Sequence, residues 1–326
     1  MTIDSVFTPV LGQPQAVEIL TQAVYQQRVA PAYLFYGPEG VGKSLTARCF
    51  LELLLCHQVS ATQHPIIRQK LQQGNHPDVL WVEPTYNYRG TLLSAAEAAT
   101  AGVKRKAPPQ IRIEQIREIG QFLSRPPLFG SRSVVVIEQA ETMAEGAANA
   151  LLKTLEEPGQ ATLVLISPGV ESLLPTLISR CQRIPFYRLS PSLLVEILTN
   201  SERGLILDCP EIIGIAQGSP GEAIYLWEQL QMIEPELLDR VKKLPTSLRE
   251  ALELASQIDR ELETTEQFWL LDYLQYTYWQ KYQNPRLIQA LEQARNHLSA
   301  YVQPRLVWEC ALLELDLIAK NFSKLF

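Results

Sequence analysis

Short apolar runs of four or five residues alternate with segments of helical period through the first half of the chain. Ala32–Tyr36 (AYLFY), Asp78–Val82 (DVLWV), Ser133–Ile137 (SVVVI) and Thr162–Ile166 (TLVLI) are short and strongly apolar, the last two rich in β-branched residues. That pattern predicts buried strands. Between them, Lys43–Leu55 and Ala144–Leu155 carry helical spacing, and Ile113, Ile116, Ile119 and Leu123 share one helical face. Strands alternating with helices predict an α/β fold with a parallel sheet covered on both faces. Residues 85–109 break the pattern with Tyr86, Tyr88, Gly90, a run of alanines and Pro108-Pro109, and read as an irregular excursion.

After Phe186 the strand signals stop. Ser192–Thr199, Ile212–Gln217, Gly221–Met232, Ser247–Glu263, Glu266–Gln283, Pro285–His297 and Pro304–Phe322 read as helices punctuated by Pro, Gly and Asn. Phe268, Trp269, Leu271, Tyr273, Leu274, Tyr278 and Trp279 are too many large apolar groups for a solvated helix. They predict the centre of a helical bundle or an oligomer contact. A length of 326 residues is compatible with two or three domains and needs no disulfide or metal to stabilise its core.

A formal charge of −6 argues against a free-standing duplex binder working through bulk positive charge, though not against a local basic surface. Five scattered cysteines, Cys49, Cys56, Cys181, Cys209 and Cys310, contain no C-x-x-C pair and read as reduced thiols, mostly buried. No signal-peptide pattern and no membrane-length apolar run are seen, so a soluble cytoplasmic protein is expected.

Gly37-Pro38-Glu39-Gly40-Val41-Gly42-Lys43-Ser44 satisfies G-x-x-x-x-G-K-[ST] between a predicted strand and a predicted helix, and Leu45 continues into that helix. Glycines let backbone N–H groups curl around phosphate oxygens, and the helix N-terminus adds positive potential. Lys43 is placed for the β- and γ-phosphates and Ser44 for Mg²⁺. Glu138, ending SVVVI, can hold Mg²⁺ through water, or can be a solvated carboxylate at a strand end. The next residue, where a base would orient attacking water, is Gln139, and an amide cannot accept that proton.

AYLFYGPEGVGKS, HPDVLWVEP, ANALLKTLEEP (Ala148–Pro158) and Ser179-Arg180-Cys181 follow one another in that order. Together they resemble the AAA+ subunits of the bacterial replicative clamp loader, over at least residues 7–186. Within that family, Gly218-Ser219-Pro220-Gly221 resembles the delta-prime type of DNA polymerase III. The resemblance implies an AAA+ P-loop domain at residues 1–187, a small helical lid at 188–235 and an all-helical collar for oligomerisation at 236–326. It implies Walker A roles for Lys43 and Ser44, with ATP or ADP and Mg²⁺ as cofactors. Glu138 would hold the place of the Walker B aspartate, and Ser167 that of the polar sensor 1. Val10, Leu11 and Gln13 match the region flanking the adenine, and Arg180 matches the arginine finger reaching a neighbour's γ-phosphate.

Two departures bear on activity. Gln139 stands on the hydrolytic glutamate of active subunits, and Gly221 stands on the sensor 2 arginine of gamma/tau subunits. The implied role is an ATP-binding subunit with weak or absent turnover of its own. It would help place the sliding clamp on primed DNA and give Arg180 to a neighbour of the gamma/tau or delta type. The competing expectation is an ATP-hydrolysing gamma/tau-type motor or another AAA+ ATPase.

Where many family members carry a four-cysteine zinc module, this chain has Cys56 followed by His57, His64 and His76. That spacing lacks the paired ligands of structural zinc, so solvated histidines and no zinc are expected. Lys104-Arg105-Lys106 reads as a solvated loop cluster or a contact to DNA or an acidic partner. Lys153, Glu156 and Glu157 read as a helix end or a subunit contact, and Arg180 as the finger or as the partner of a carboxylate in its own domain.

Overall fold

The computed structural model describes residues 6–57, 59–102 and 108–322. Lys104, Arg105 and Lys106 lie outside the described residues. The chain divides into two compact units, residues 1–193 and 194–326.

The first unit contains strands β1 (Ala32–Tyr36), β2 (Val79–Val82), β3 (Tyr86–Tyr88), β4 (Thr91–Leu93), β5 (Ser133–Ile137), β6 (Ala161–Ser167) and β7 (Gln182–Pro185). Its helices are α1 (Pro14–Tyr25), α2 (Lys43–Cys56), α3 (His64–Gln72), α4 (Ala95–Thr100), α5 (Ile113–Leu123), α6 (Glu145–Glu156) and α7 (Pro175–Ile178). Five strands form one parallel sheet in the order β2-β5-β6-β1-β7. Parallel neighbours require crossovers, and the helices supplying them bury both faces of the sheet. Tyr33, Phe35, Val134 and Val136 pack on one side with Phe50 and Leu51 of α2. Leu34, Val135 and Ile137 pack on the other with Ile116 and Ile119 of α5 and Leu151 of α6. The period-2 alternation explains why these runs are apolar at every position.

Register determines what gathers at the carboxyl ends of the strands. Tyr36 pairs with Ser167 and Ile137 with Leu165, so the residues following β1, β5 and β6 emerge side by side. Gly37 N–H donates to Ser167 O at 3.3 Å, tying the first turn to the neighbouring strand.

Three features depart from the sequence expectations. Residues 85–109 are not irregular throughout. Tyr86–Tyr88 and Thr91–Leu93 pair as an antiparallel hairpin, followed by α4. The sheet has a fifth strand, β7. The histidines are not a solvated set either. His76 is buried, with Nδ1 accepting from Asp78 N–H at 3.2 Å and its ring 5.8 Å from Phe129. His57 packs edge-on against Tyr25 at 5.1 Å, and His64 Nε2 lies 3.0 Å from Cys56 O. No group of three or more His, Cys, Asp or Glu able to hold a metal occurs among the described residues. Of the cysteines, Cys49 and Cys56 are buried, Cys181 and Cys209 half-buried, and Cys310 exposed.

Asp78 anchors the approach to β5. Its buried carboxylate accepts three backbone N–H bonds, from Leu128 at 2.6 Å, Phe129 at 2.7 Å and Gly130 at 3.0 Å. Hydrogen bonds to an ionised acceptor are among the strong ones, and removing it strands three donors. Asp78→Ala is therefore expected to lose about 2–4 kcal/mol of stability. A urea midpoint matching that of the wild type would show that this carboxylate does not hold the 128–130 loop.

The second unit is helical: α9 (Pro210–Ala216), α10 (Pro220–Met232), α11 (Pro235–Val241), α12 (Leu248–Glu261), α13 (Thr264–Tyr282), α14 (Pro285–Ser299) and α15 (Pro304–Phe322) follow α8 (Pro191–Asn200). Most start on proline, whose missing N–H is free at the first helical position anyway. Others use side-chain caps: Ser247 accepts from Glu250 N–H at 3.2 Å before α12. Residues expected to belong to lid and collar, from Leu194 to Leu315, contribute to one buried cluster. Trp269, Leu271, Tyr273, Leu274 and Tyr278 of α13 are buried, as the bundle-centre reading of this helix expected, whereas Trp279 is exposed. Buried Trp308 donates to Gln267 Oε1 at 2.8 Å and Tyr278 OH to Val241 O at 2.6 Å, whereas the indole N–H of Trp269 is buried without a hydrogen-bond partner. No helix of the described residues is long and apolar enough to cross a membrane.

Candidate nucleotide site

The turn after β1 is built from backbone that only glycine accepts easily. Gly37 has φ +145°, and a Cβ there would lie 2.2 Å from Phe186 O. Gly42 has φ +102° and forms the N-cap of α2, so the chain curls tightly before entering the helix. Lys43, the first residue of α2, is 7% exposed, and its ammonium donates to Gly37 O and, at 2.6 Å, to Pro38 O. Thr46 Oγ1 donates to Gly42 O at 2.9 Å and braces the same turn.

A cleft of about 320 Å³ opens over this loop. Glu39, Gly40, Gly42, Lys43, Ser44 and Leu45 line it from one side, Glu138, Gln139 and Glu141 from the end of β5, and Ile166, Ser167 and Pro168 from the end of β6. Gly37, Pro38 and Val41 belong to the same loop but do not line the cleft. Ser167 is 1% exposed, and its hydroxyl is engaged locally, donating to Gly169 O at 2.5 Å and lying 3.0 Å from Ser172 Oγ.

Val10, Leu11 and Gln13 lie outside the lining of this cleft. Gln13 is 2% exposed and acts as a tie: Nε2 donates to Val41 O at 3.2 Å and to Tyr187 O at 2.7 Å, and Oε1 accepts from Tyr187 N–H at 3.1 Å. It holds the back of the phosphate loop to the chain leaving β7. Arg180 follows α7, where Nη2 meets Glu156 Oε1 at 2.7 Å and Nη1 donates to Thr176 O at 3.0 Å. The carboxylate partner within its own domain, one of the two readings of Arg180, is thus present.

Glu141 is an ionisable cleft residue that motif reading did not single out, as it did not single out Ile166 and Pro168. Gln139 takes a left-handed backbone, φ +47°, and a 3-10 turn follows at Ala140–Thr142. Thr142 closes it, with N–H and Oγ1 both bonded to Gln139 O at 2.9 and 2.7 Å. This tight return carries Glu141 back to the cleft. Burial pushes its carboxyl above the usual range, opposed by its own backbone N–H and by Lys43 and reinforced by Glu39. Burial likewise lowers the Lys43 ammonium, with Glu39 and Glu141 opposing that shift.

These residues fit a nucleoside phosphate with its divalent ion. A loop with positive φ at Gly37, Gly40 and Gly42, a helix N-terminus and a buried ammonium suit the anion. Ser44 and Glu138 supply oxygen donors of the hard kind that Mg²⁺ takes. When bound, the ion would neutralise phosphate charge, and Lys43 would be the protein's own positive group beside it.

Comparison with known proteins agrees along the chain. Residues 12–190 match the family described as "DNA polymerase III, delta subunit", and residues 192–315 match "Cyanobacterial DNA polymerase III delta prime, C-terminal domain". DNA polymerase III subunit delta' of Pseudomonas aeruginosa is 34% identical over 224 residues, 66% of this chain and 61% of that protein. The delta' subunit of Bacillus subtilis is 31% identical over 193 residues, 58% of this chain and 52% of its own length. The matches thus span less than two thirds of either relative. The tau subunit of Bacillus subtilis is 27% identical over 193 residues, 58% of this chain and 30% of that one. Among solved structures, a gamma-subunit-related protein of Thermotoga maritima superposes with a TM-score of 0.48 at 19% identity, covering 93% of this chain and 98% of that one.

Proposed function

Because the chain belongs to the DNA polymerase III delta-prime family, we propose that it is the clamp-loader subunit that binds nucleotide without appreciable turnover and lends Arg180 to a neighbour. In this reading it works in the cytoplasm beside gamma/tau- and delta-type subunits, and the assembly places a sliding clamp on primed DNA. Its own contribution is mechanical and electrostatic.

The observation that carries this reading is the pairing of a complete phosphate loop with a strand end that has no base where one is needed. Lys43 and Ser44 line the cleft, while position 139, next to Glu138, is an amide. Glycine at 221 removes a further guanidinium that a motor subunit would bring to the phosphates. Binding and hydrolysis are thereby separated: the loop and Mg²⁺ suffice for the first, and the second also needs an oriented, deprotonated water.

The test is direct. The purified chain should bind Mg²⁺–ATP and release phosphate no faster than a buffer control. Mixed with gamma/tau- and delta-type subunits, it should enter one assembly of defined mass. Rapid steady-state hydrolysis by the isolated chain would replace this reading with the motor one.

A further inference from the structure

We propose that Glu141 is a cation-side carboxylate of the nucleotide site, accepting hydrogen bonds from the water shell of the divalent ion that accompanies a bound nucleoside triphosphate. This rests on the nucleotide-binding reading above. Three observations lead to it.

Glu141 lines the cleft with Lys43, Ser44 and Glu138, and the 3-10 turn pinned by Thr142 on Gln139 O fixes its approach. Its Oε2 is buried without a hydrogen-bond partner in the protein. A buried carboxylate oxygen left unpaired is unfavourable, and such atoms in native folds have a reason to be there. Finally, the carboxylates whose fields reach the Lys43 ammonium are Glu39 and Glu141, so Glu141 belongs to the electrostatics of the phosphate loop itself.

A simpler role would be counter-charge to Lys43. Yet Lys43 turns its ammonium to Gly37 O and Pro38 O, leaving Glu141 Oε2 unpartnered. Charge logic separates the two roles. A carboxylate facing the phosphates repels a metal-free triphosphate. With a hydrated divalent ion between them, the same carboxylate attracts, because it accepts from waters polarised by the ion. Gln139 offers only a neutral amide oxygen for that purpose.

Equilibrium titration of the full chain with ATP, in excess Mg²⁺ and in excess EDTA, distinguishes them. Glu141→Gln should weaken binding roughly 10- to 100-fold in Mg²⁺, the range typical of losing a partner of the metal's own ligands. In EDTA the same variant should bind as well as the wild type or better. Glu141→Asp keeps the charge on a shorter side chain and should lose less affinity in Mg²⁺ than Glu141→Gln; if the Gln variant melts below the assay temperature, an Asp variant that matches the wild type in both media overturns the proposal. An equal loss in both media would make Glu141 a counter-charge only and overturn the proposal, as would no change in either. A wild-type chain that binds ATP in neither medium would overturn the nucleotide-binding reading as well. A wild type that binds, with a Gln variant unaltered in Mg²⁺, overturns this proposal alone.

Discussion

Arg180→Ala, assembled with wild-type partner subunits, is expected to slow clamp- and DNA-stimulated ATP hydrolysis while leaving assembly intact. A guanidinium beside the γ-phosphoryl oxygens of a neighbour's nucleotide neutralises charge as it develops, an effect worth roughly 10³–10⁵ in rate in other P-loop systems. In the proposed assembly the whole-complex effect should be smaller, since only one of its nucleotide sites would face this subunit. The contact that Arg180 makes within its own domain does not stand in the way. Its side chain is 37% exposed and that of Glu156 54% exposed, and such surface pairs are worth about 0–1 kcal/mol. That is small against a finger contact, so Glu156 can release the guanidinium, and Arg180→Ala should leave the melting temperature nearly unchanged. Arg180→Lys should rescue poorly, because a lysine lacks the planar fork. Equal clamp-dependent rates for wild-type and Arg180→Ala assemblies, with incorporation verified by mass, would reduce Arg180 to an ordinary surface arginine.

The sequence was most legible where one physical signal dominated. β1, β5 and β6 are buried on both faces and therefore appear as unbroken apolar runs. β7 does not: in Gln182–Pro185 only Ile184 is buried, and a strand at the sheet edge needs no more than that. The β3–β4 hairpin was hidden for another reason. Its turn uses Arg89 and Gly90, both at positive φ (+51° and +88°), a geometry usually announced by Asn-Gly or Asp-Gly. An arginine in that place gives no warning.

The site divides in the same way. The phosphate loop is contiguous, so its chemistry can be read from eight adjacent letters. Gln13 works across 28 residues to Val41 and 174 to Tyr187, a distance over which no local pattern reports. Glu141 is near in sequence to Glu138 but meets the cleft only because Gln139 adopts φ +47° and the chain doubles back. His76 looked like a polar residue in a histidine-rich stretch. Burial beside Phe129 lowers its pKa, although Asp78 pulls in the opposite direction, so the ring is held towards its neutral form. The general point is that residue type reveals chemistry, whereas turn closure decides which chemistry is assembled.

Lys43→Ala should remove most nucleotide binding while sparing the fold. Burial already disfavours the ammonium, so a charged group is being kept in a place where it is costly unless an anion or acceptors compensate. Within the protein, Gly37 O and Pro38 O provide that compensation. A phosphate oxygen would do so more strongly, since both partners are then ionised. Losing a charge-assisted bond of about 1.5–3 kcal/mol corresponds to roughly 10- to 100-fold in affinity, before any loosening of the loop is counted. The fold should tolerate the change, because Thr46 still braces Gly42 O and Gln13 still holds Val41. Lys43→Arg should fail to restore binding. The ammonium fits between two carbonyls of a glycine turn at a side chain only 7% exposed, and a planar guanidinium is too wide for that slot. Calorimetric titration of ATP into wild type, Lys43→Ala and Lys43→Arg, with melting curves alongside, checks both halves. Undiminished affinity in a folded Lys43→Ala chain would mean that the glycine loop and helix terminus bind phosphate without the lysine.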